Sequence, residues 1–269
     1  MSIGNERLVR NPRLQRSAAA SLGVCLVFLF CLNAAVASRL WSADFIDQMG
    51  STAGPFIALS RYLMRHWSDH AWFPAWFCGI PFLRVYQPGQ HAAVASLLHL
   101  PAQRAYFLVA AICYSLGPVT LFWLCDRLTG RRGYALTVAL LYSLLSPSIL
   151  LSSVIRHETG GWFHPRRFQT LVYYGESPHI AALMLLPLVI WAVDRAIRKN
   201  CPLFVPIAAA LLGMLVVTNW TGTIGLLMAL IAYCLAQIGG ISRRGWWTLL
   251  GIVALAYALI CPWLPPSIV

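Results

Sequence analysis

The feature that most constrains this chain is a series of apolar runs, each about as long as a membrane-crossing helix. The hydrocarbon core of a bilayer is about 30 Å thick, and about 20 apolar residues cross it as a helix. Seven such runs lie near residues 18–37, 105–125, 134–153, 179–197, 203–218, 222–239 and 246–263. Of the 269 residues, 59% are hydrophobic and only 10% are charged, and the mean hydropathy is +0.69. We therefore predict an all-α polytopic membrane protein, one transmembrane module over 1–269 with about seven transmembrane helices.

Clusters of basic residues set the expected orientation of these helices. They precede the first run and follow the second, fourth and sixth, at Arg7, Arg10, Arg13, Arg16, Arg127, Arg131, Arg132, Arg195, Arg198, Lys199, Arg243 and Arg244. Because an excess of Lys and Arg marks cytoplasmic ends, we predict a bacterial plasma-membrane protein with a cytoplasmic N-terminus. The small residues Ala35-Val36-Ala37 at the end of the first run also match a cleaved signal peptide, and either interpretation leaves the next loop outside.

Two outer loops, 38–104 and 154–178, then carry most of the chemistry. All seven histidines and five of the eight acidic residues fall on this side. No Asp, Glu, Lys, Arg or His lies in the middle of an apolar run, which disfavours ion-coupled transporters and proton relays. The formal charge of +12 is spread over several loops rather than one patch, so we expect no nucleic-acid partner.

The first outer loop contains two carboxylates just past the first run. Asp44 and Asp47 are three positions apart and would share one face of a helix. From Pro55 to His70 the apolar residues recur at helical spacing, which predicts an amphipathic helix lying on the bilayer. The aromatic segment that follows, with Trp76 and Tyr86, suits either interfacial anchors or a sugar-stacking platform.

The second outer loop holds the densest set of reactive side chains: Arg156, His157, Glu158, His164, Arg166, Arg167, Tyr174, Glu176 and His179. Placing such groups beside hydrocarbon has a desolvation cost, which either mutual ion pairing or a bound ligand must compensate.

These residues suit a lipid-linked phosphate whose head group lies at the outer surface. Guanidinium groups or a divalent metal, Mg or Mn, would neutralise the charge on a phosphate leaving group. Arg166 and Arg167 are the first candidates for this role, followed by Arg156 and Arg84. Asp44 or Asp47 could act as general base or hold the metal. The substrate-binding candidates are therefore Arg84, Arg156, His157, His164, Arg166, Arg167, Tyr174, Glu176, His179, Trp76 and Tyr86.

The arrangement resembles the GT-C superfamily of membrane glycosyltransferases, in which a seven-helix module carries a large first outer loop with an acid soon after the first helix. Two local patterns are similar to bacterial multi-pass proteins labelled 6-pyruvoyl-tetrahydropterin synthase-related membrane proteins, a label that implies no pterin chemistry here. They are Trp76 with Gly79, Pro81, Tyr86 and Pro88, and Tyr174-Gly175-Glu176 with Pro178-His179.

This resemblance implies a function and a catalytic set. The donor would be a polyprenyl-phosphate sugar, Asp44 or Asp47 would take the position of the first-loop acid, and Glu158 would match a second acidic motif. Members of such families usually extend beyond seven spans, so we expect this chain to be the N-terminal part of a longer protein. The alternative is a non-catalytic carrier, flippase or assembly subunit whose loops only grip a lipid-linked substrate. Membrane lipids are expected partners in both cases.

Overall fold

The computed structural model describes residues 12–44, 51–68, 71–76, 78–82 and 88–263, with side chains of the first helix described from Ser17 onward. These residues form eleven α-helices: α1 (Pro12–Val36), α2 (Ala53–Arg65), α3 (Gly89–Ala95), α4 (Ala102–Thr129), α5 (Arg132–Leu144), α6 (Ser153–Thr159), α7 (Arg166–Val172), α8 (Ser177–Ile197), α9 (Phe204–Val216), α10 (Trp220–Ala236) and α11 (Arg243–Ile260). Two 3-10 turns cover Ser38–Trp41 and Pro147–Leu150. A short antiparallel pair joins β1 (Trp72–Phe73) to β2 (Ile80–Pro81), with Trp72 opposite Pro81.

Three of these helices are long and apolar enough to cross a membrane: Ser17–Val36 within α1, α4 and α8. The apolar helices α9 and α10 are shorter, with 13 and 17 residues. Large apolar side chains are exposed on the outside of α1, α10 and α11, as expected of surfaces that face lipid. The helical, membrane-type architecture predicted from the sequence is therefore found, whereas seven spans are not confirmed.

The third predicted span, 134–153, is interrupted. Helix α5 has 13 residues, which at about 1.5 Å per residue is well short of the membrane core. The residue before a proline is driven out of the helical region, and Ser146, which precedes Pro147, has φ −120° and ψ 71°. The Ser146 N–H then donates to the Trp162 carbonyl at 2.9 Å. The prediction of a continuous span was wrong because the chain turns here into the second outer loop.

Helix α4 is the centre of the bundle and packs against α1, α5 and α8. On one side, Leu29 of α1 and Phe122 of α4 meet Ala135 and Ala139 of α5 in a buried cluster. On the other, α8 packs against α9, α10 and α11 around a second buried cluster rich in alanine. Small residues at these contacts let the helix backbones approach closely, as is usual between helices in a membrane.

The basic helix ends gather at one end of the bundle, away from the outer loops. Arg132 at the start of α5 donates to the Ala18 carbonyl of α1 at 2.9 Å. The Asp194 carboxylate near the end of α8 accepts from Arg198 at 3.2 Å and from the Tyr233 hydroxyl of α10 at 2.7 Å. These contacts bring the start of α1 close to the start of α5, and the end of α8 close to the end of α10. Which end faces the cytoplasm stays a prediction.

The first outer loop packs on the bundle rather than on lipid. The apolar face of α2 is buried inside the protein, with Phe56, Leu59 and Leu63 exposing 4%, 0% and 3% of their surface. It contacts α3 and α4 within the largest buried cluster. The expected amphipathic helix is present, but its apolar face does not lie on the bilayer, so that part of the prediction was wrong.

Within this loop, His91 of α3 is fully buried between Phe56 and Phe82. Its Nδ1 lies 2.9 Å from the Ser60 hydroxyl. Burial disfavours the charged imidazolium and lowers the pKa of His91 from 6.5 to about 4.

We predict from this burial that the fold loses stability as pH falls from 6.5 toward 4, because the unfolded chain then binds a proton that the folded His91 excludes. The loss should reach about 3 kcal/mol, be absent above pH 6.5 and level off below pH 4. The effect is measured by thermal unfolding across this pH range, as the difference in unfolding free energy between wild type and His91→Gln. An unchanged difference from pH 7 to pH 4 would contradict the prediction.

Candidate functional site

The two outer loops meet at the Tyr174-Gly175-Glu176 segment. Thr52 of the first loop donates its N–H and its hydroxyl to the Tyr174 carbonyl, at 2.9 and 2.8 Å, and its hydroxyl lies 3.4 Å from Glu176 Oε1. Gly175 has φ +74°, and a Cβ there would lie 2.5 Å from the Ala53 nitrogen, so only glycine allows this close approach. The loops therefore form one surface, with Glu176 at their junction.

Behind this junction, Glu158 of α6 is the centre of a polar network. Its Oε2 accepts from Arg166 Nη1 and from the Tyr174 hydroxyl, both at 2.9 Å. Gln169 supports the pair by accepting from Arg166 Nη1 at 2.8 Å and donating to the Glu158 carbonyl at 2.7 Å. The structure thus brings together three predicted site residues, and their charges compensate one another.

These contacts set the protonation states of the network. The hydrogen bond from Arg166, followed by that from Tyr174, holds the pKa of Glu158 below its ordinary value. The hydrogen bond to Glu158 in turn raises the pKa of Tyr174. Glu158 is therefore a stable carboxylate, well suited to hold Arg166 and poorly suited to accept a proton.

An open cleft of about 460 Å³ lies beside this network. Arg156 and His157, on the exposed side of α6, line it together with the Gly160-Gly161 turn and Trp162. In the described part of the chain, the Arg156 guanidinium has no hydrogen bond or ion pair. His164, also exposed, has its Nδ1 close to the same glycine turn. This cleft is cationic and could take an anionic group.

Arg167 lies apart from its neighbour Arg166 and points into the helical bundle. It exposes only 7% of its surface, and its guanidinium lies 4.2 Å from the ring centroid of Tyr114 and 4.4 Å from that of Tyr142. Nη2 donates to the Tyr114 carbonyl at 2.5 Å, and Nη1 lies 3.4 Å from Asn33 Oδ1 of α1. The sequence had suggested that Arg166 and Arg167 hold a phosphate together. Because Arg167 points into the bundle, the two guanidinium groups do not face one site.

A proline one turn further along α4 explains why Arg167 contacts the Tyr114 carbonyl. Pro118 has no N–H, so the helical hydrogen bond to the carbonyl of Tyr114, four positions earlier, cannot form. Arg167 supplies the missing donor. Gly117 makes room for it, because a Cβ at this position would lie 2.8 Å from Nη2.

The other candidates that the structure describes do not join the Glu158 network. Asp44 is exposed and forms no hydrogen bond or ion pair with any described residue. His179 lies at the start of α8, with Nδ1 3.4 Å from Asn219 Oδ1. Trp76 is half-buried against the first-loop core. Three further residues lie outside the described part of the chain: Asp47, Arg84 and Tyr86.

No ligand set for the divalent metal is found among the described residues. No three His, Cys, Asp or Glu side chains come together there, and the Glu158 oxygen that faces Arg166 already accepts two hydrogen bonds. A carboxylate committed to a cation in this way is a poor metal ligand.

Sequence reasoning missed the residues that hold the site in place. Thr52, Gln169, Asn33 and Tyr114 contact the predicted residues, yet none stands out by type or spacing. A proline inside an apolar helix is the one available signal, because it implies a free carbonyl four positions earlier that needs a donor. Applied to Pro118, that rule points to Tyr114.

We predict that stabilisation by the Glu158 network is present at neutral pH and disappears in acid. The folded-state pKa of Glu158 is lowered, so the stabilisation is fully present above the ordinary carboxyl pKa and is lost as pH falls through the lowered value. Melting temperatures of wild type and Glu158→Gln should therefore differ at pH 7 and converge in acid. Glu176→Gln serves as control, since Glu176 has no cationic partner among the described residues. A difference that persists in acid would contradict the prediction.

We also predict that Arg167 and Pro118 are energetically coupled. Arg167→Leu leaves the Tyr114 carbonyl without a donor, which should cost about 1 to 3 kcal/mol of unfolding free energy. Pro118→Ala restores the backbone donor, so Arg167→Leu should cost about 1 kcal/mol less in that background. Unfolding in detergent of both single variants and the double variant measures the coupling. Pro187→Ala in α8 is the matched control, and equal coupling to both prolines would refute the assignment.

Comparison of the chain with protein-family models, with curated proteins and with solved structures finds no match in any of the three. The function is therefore argued from the geometry of the outer loops.

Proposed function

We propose that the protein is a GT-C-like membrane glycosyltransferase that takes a sugar from a polyprenyl-phosphate donor at the extracytoplasmic face of a bacterial plasma membrane. In such a transfer an acceptor hydroxyl attacks the anomeric carbon while the bond to the phosphate oxygen breaks. A general base takes the hydroxyl proton, and the polyprenyl phosphate leaves with its negative charge.

The observation that carries this proposal is the contact of Thr52 with Tyr174 and Glu176. Asp44 and Asp47 precede Thr52 by only eight and five positions in the sequence. The contact anchors Thr52, which follows these acids in the sequence, on the cationic second loop, and we propose that the acids act beside it. A transferase needs both features, because a base must act on the acceptor while cations stabilise the departing phosphate.

The phosphate is assigned here to Arg156 and His157 instead of Arg166 and Arg167. The last two are already committed, Arg166 to Glu158 and Arg167 to the Tyr114 carbonyl. Arg156 lines an open cleft, and its guanidinium donors have no partner among the described residues. A guanidinium in that state can form the paired hydrogen bonds that phosphate oxygens accept.

One observation favours a second candidate, a carrier or assembly subunit that binds a lipid-linked sugar without transferring it. The Glu158 carboxylate is occupied by Arg166 and Tyr174, so the second-loop acid that the resemblance implies is not free to act as a base. If the first-loop acids also play no chemical part, the same cleft would only grip the phosphate.

An assay in proteoliposomes separates the two functions. A panel of labelled polyprenyl-phosphate hexoses and pentoses is supplied with bacterial membrane lipids as acceptors, and donor binding and sugar transfer are measured separately. We expect Asp44→Asn or Asp47→Asn to reduce transfer by about 100-fold or more, as for loss of a general base, with donor binding retained. Arg156→Ala should weaken donor binding about tenfold.

Arg243→Ala is the matched control, since Arg243 is exposed at the opposite end of the bundle and should change neither measurement. Binding without transfer in wild type would favour the carrier. Transfer that survives both acid substitutions would refute the transferase, and donor binding that survives Arg156→Ala would refute the assigned cleft.

A further inference from the structure

A second cationic cleft lies on the first outer loop, away from α6. It has a volume of about 500 Å³ and opens between the last turns of α2 and the segment that leads into α4. Arg61, Met64 and Arg65 form one wall. The other wall runs from Leu98 through Leu100 to Gln103. None of these residues belongs to the Glu158 network or to the cleft of Arg156.

No described residue compensates the charge of the two arginines. They are four positions apart on α2 and therefore on the same face, where like charges destabilise a helix. Both are exposed. Within the described part of the chain, neither guanidinium takes part in an ion pair or a hydrogen bond. An anion placed between them would remove the repulsion and accept donors from both.

Apart from Gln103, the rest of the cleft is lined by apolar residues. They are Met64, Leu98, Leu100, Pro101 and Ala102, and Leu98 is exposed over 68% of its surface. Ala102 is also the first residue of α4, one of the three helices long and apolar enough to cross a membrane. If α4 crosses the bilayer, this cleft lies at the level of the lipid head groups.

We propose that this cleft binds the phosphate of an anionic phospholipid of the surrounding membrane. The phosphate lies between Arg61 and Arg65, and the first carbons of the lipid lie along Leu98, Leu100 and Met64. A free phosphate ion would use the two arginines but leave the apolar wall exposed to water. A phospholipid uses both, which is why the apolar wall favours it.

The test uses delipidated protein in an uncharged detergent. Dioctanoyl phosphatidylglycerol and dioctanoyl phosphatidylcholine are titrated separately, and bound lipid is counted by native mass spectrometry. We expect Arg61→Gln with Arg65→Gln to weaken the tightest phosphatidylglycerol site at least about tenfold, because two charge-assisted contacts are lost. Wild type should prefer phosphatidylglycerol to phosphatidylcholine, and inorganic phosphate at equal concentration should not displace the lipid.

Three comparisons keep the proposal falsifiable. Arg243→Gln with Arg244→Gln removes two exposed arginines at the opposite end and should leave the site intact. Arg156→Gln should also leave it intact, so failure of the proposed transferase function does not affect this result. Equal phosphatidylglycerol affinity in wild type and the Arg61, Arg65 double variant, or equal competition by inorganic phosphate, would overturn the proposal. Unchanged melting of the lipid-free double variant confirms that these exposed substitutions leave the fold intact.

Discussion

The hydrogen bond from Arg167 to the Tyr114 carbonyl is the interaction on which the outer half of the structure depends. Pro118 leaves that carbonyl without a helical donor in the middle of the longest helix, where water cannot replace it. A side chain from the second outer loop supplies the donor and stacks on Tyr114 and Tyr142. A buried charge would be costly alone, but here it satisfies a need of the helix and joins α7 to the bundle.

This internal anchor has an external counterpart in the docking of Tyr174 on Thr52. The Glu158 network is joined to both anchors, since it includes Arg166, the neighbour of Arg167, and Tyr174, whose carbonyl accepts from Thr52. The cleft of Arg156 lies beside this network and is lined by residues of the 149–162 segment, which leads into the segment that carries both anchors. A substitution at either anchor should change the geometry of the cleft indirectly, although neither anchor lines it. Loop segments held at both ends have few alternative conformations.

The sequence was sufficient to predict the long helices α4 and α8, because uniform apolar runs of that length leave few alternatives. It was insufficient at Pro147, because the same pattern of residues is compatible with a kink inside one membrane span and with a turn that ends the span. The outcome was decided by the contact of Ser146 with Trp162, which is distant in sequence. Arg166 and Arg167 illustrate the same limit. Successive positions on a helix point about 100° apart, and only the packing of α7 determines which of them is buried.

The arginines on the outer side can be sorted by what already compensates their charge. Arg166 is neutralised by Glu158, and Arg167 is held by a backbone carbonyl and two aromatic rings. Arg156, Arg61 and Arg65 have no such partner in the described chain and line open clefts. Composition alone counts all five as equal candidates for binding phosphate. Since a paired cation must first lose its partner to bind another anion, lipid phosphates should bind at Arg156, Arg61 and Arg65, which have no partner among the described residues, rather than at Arg166 or Arg167.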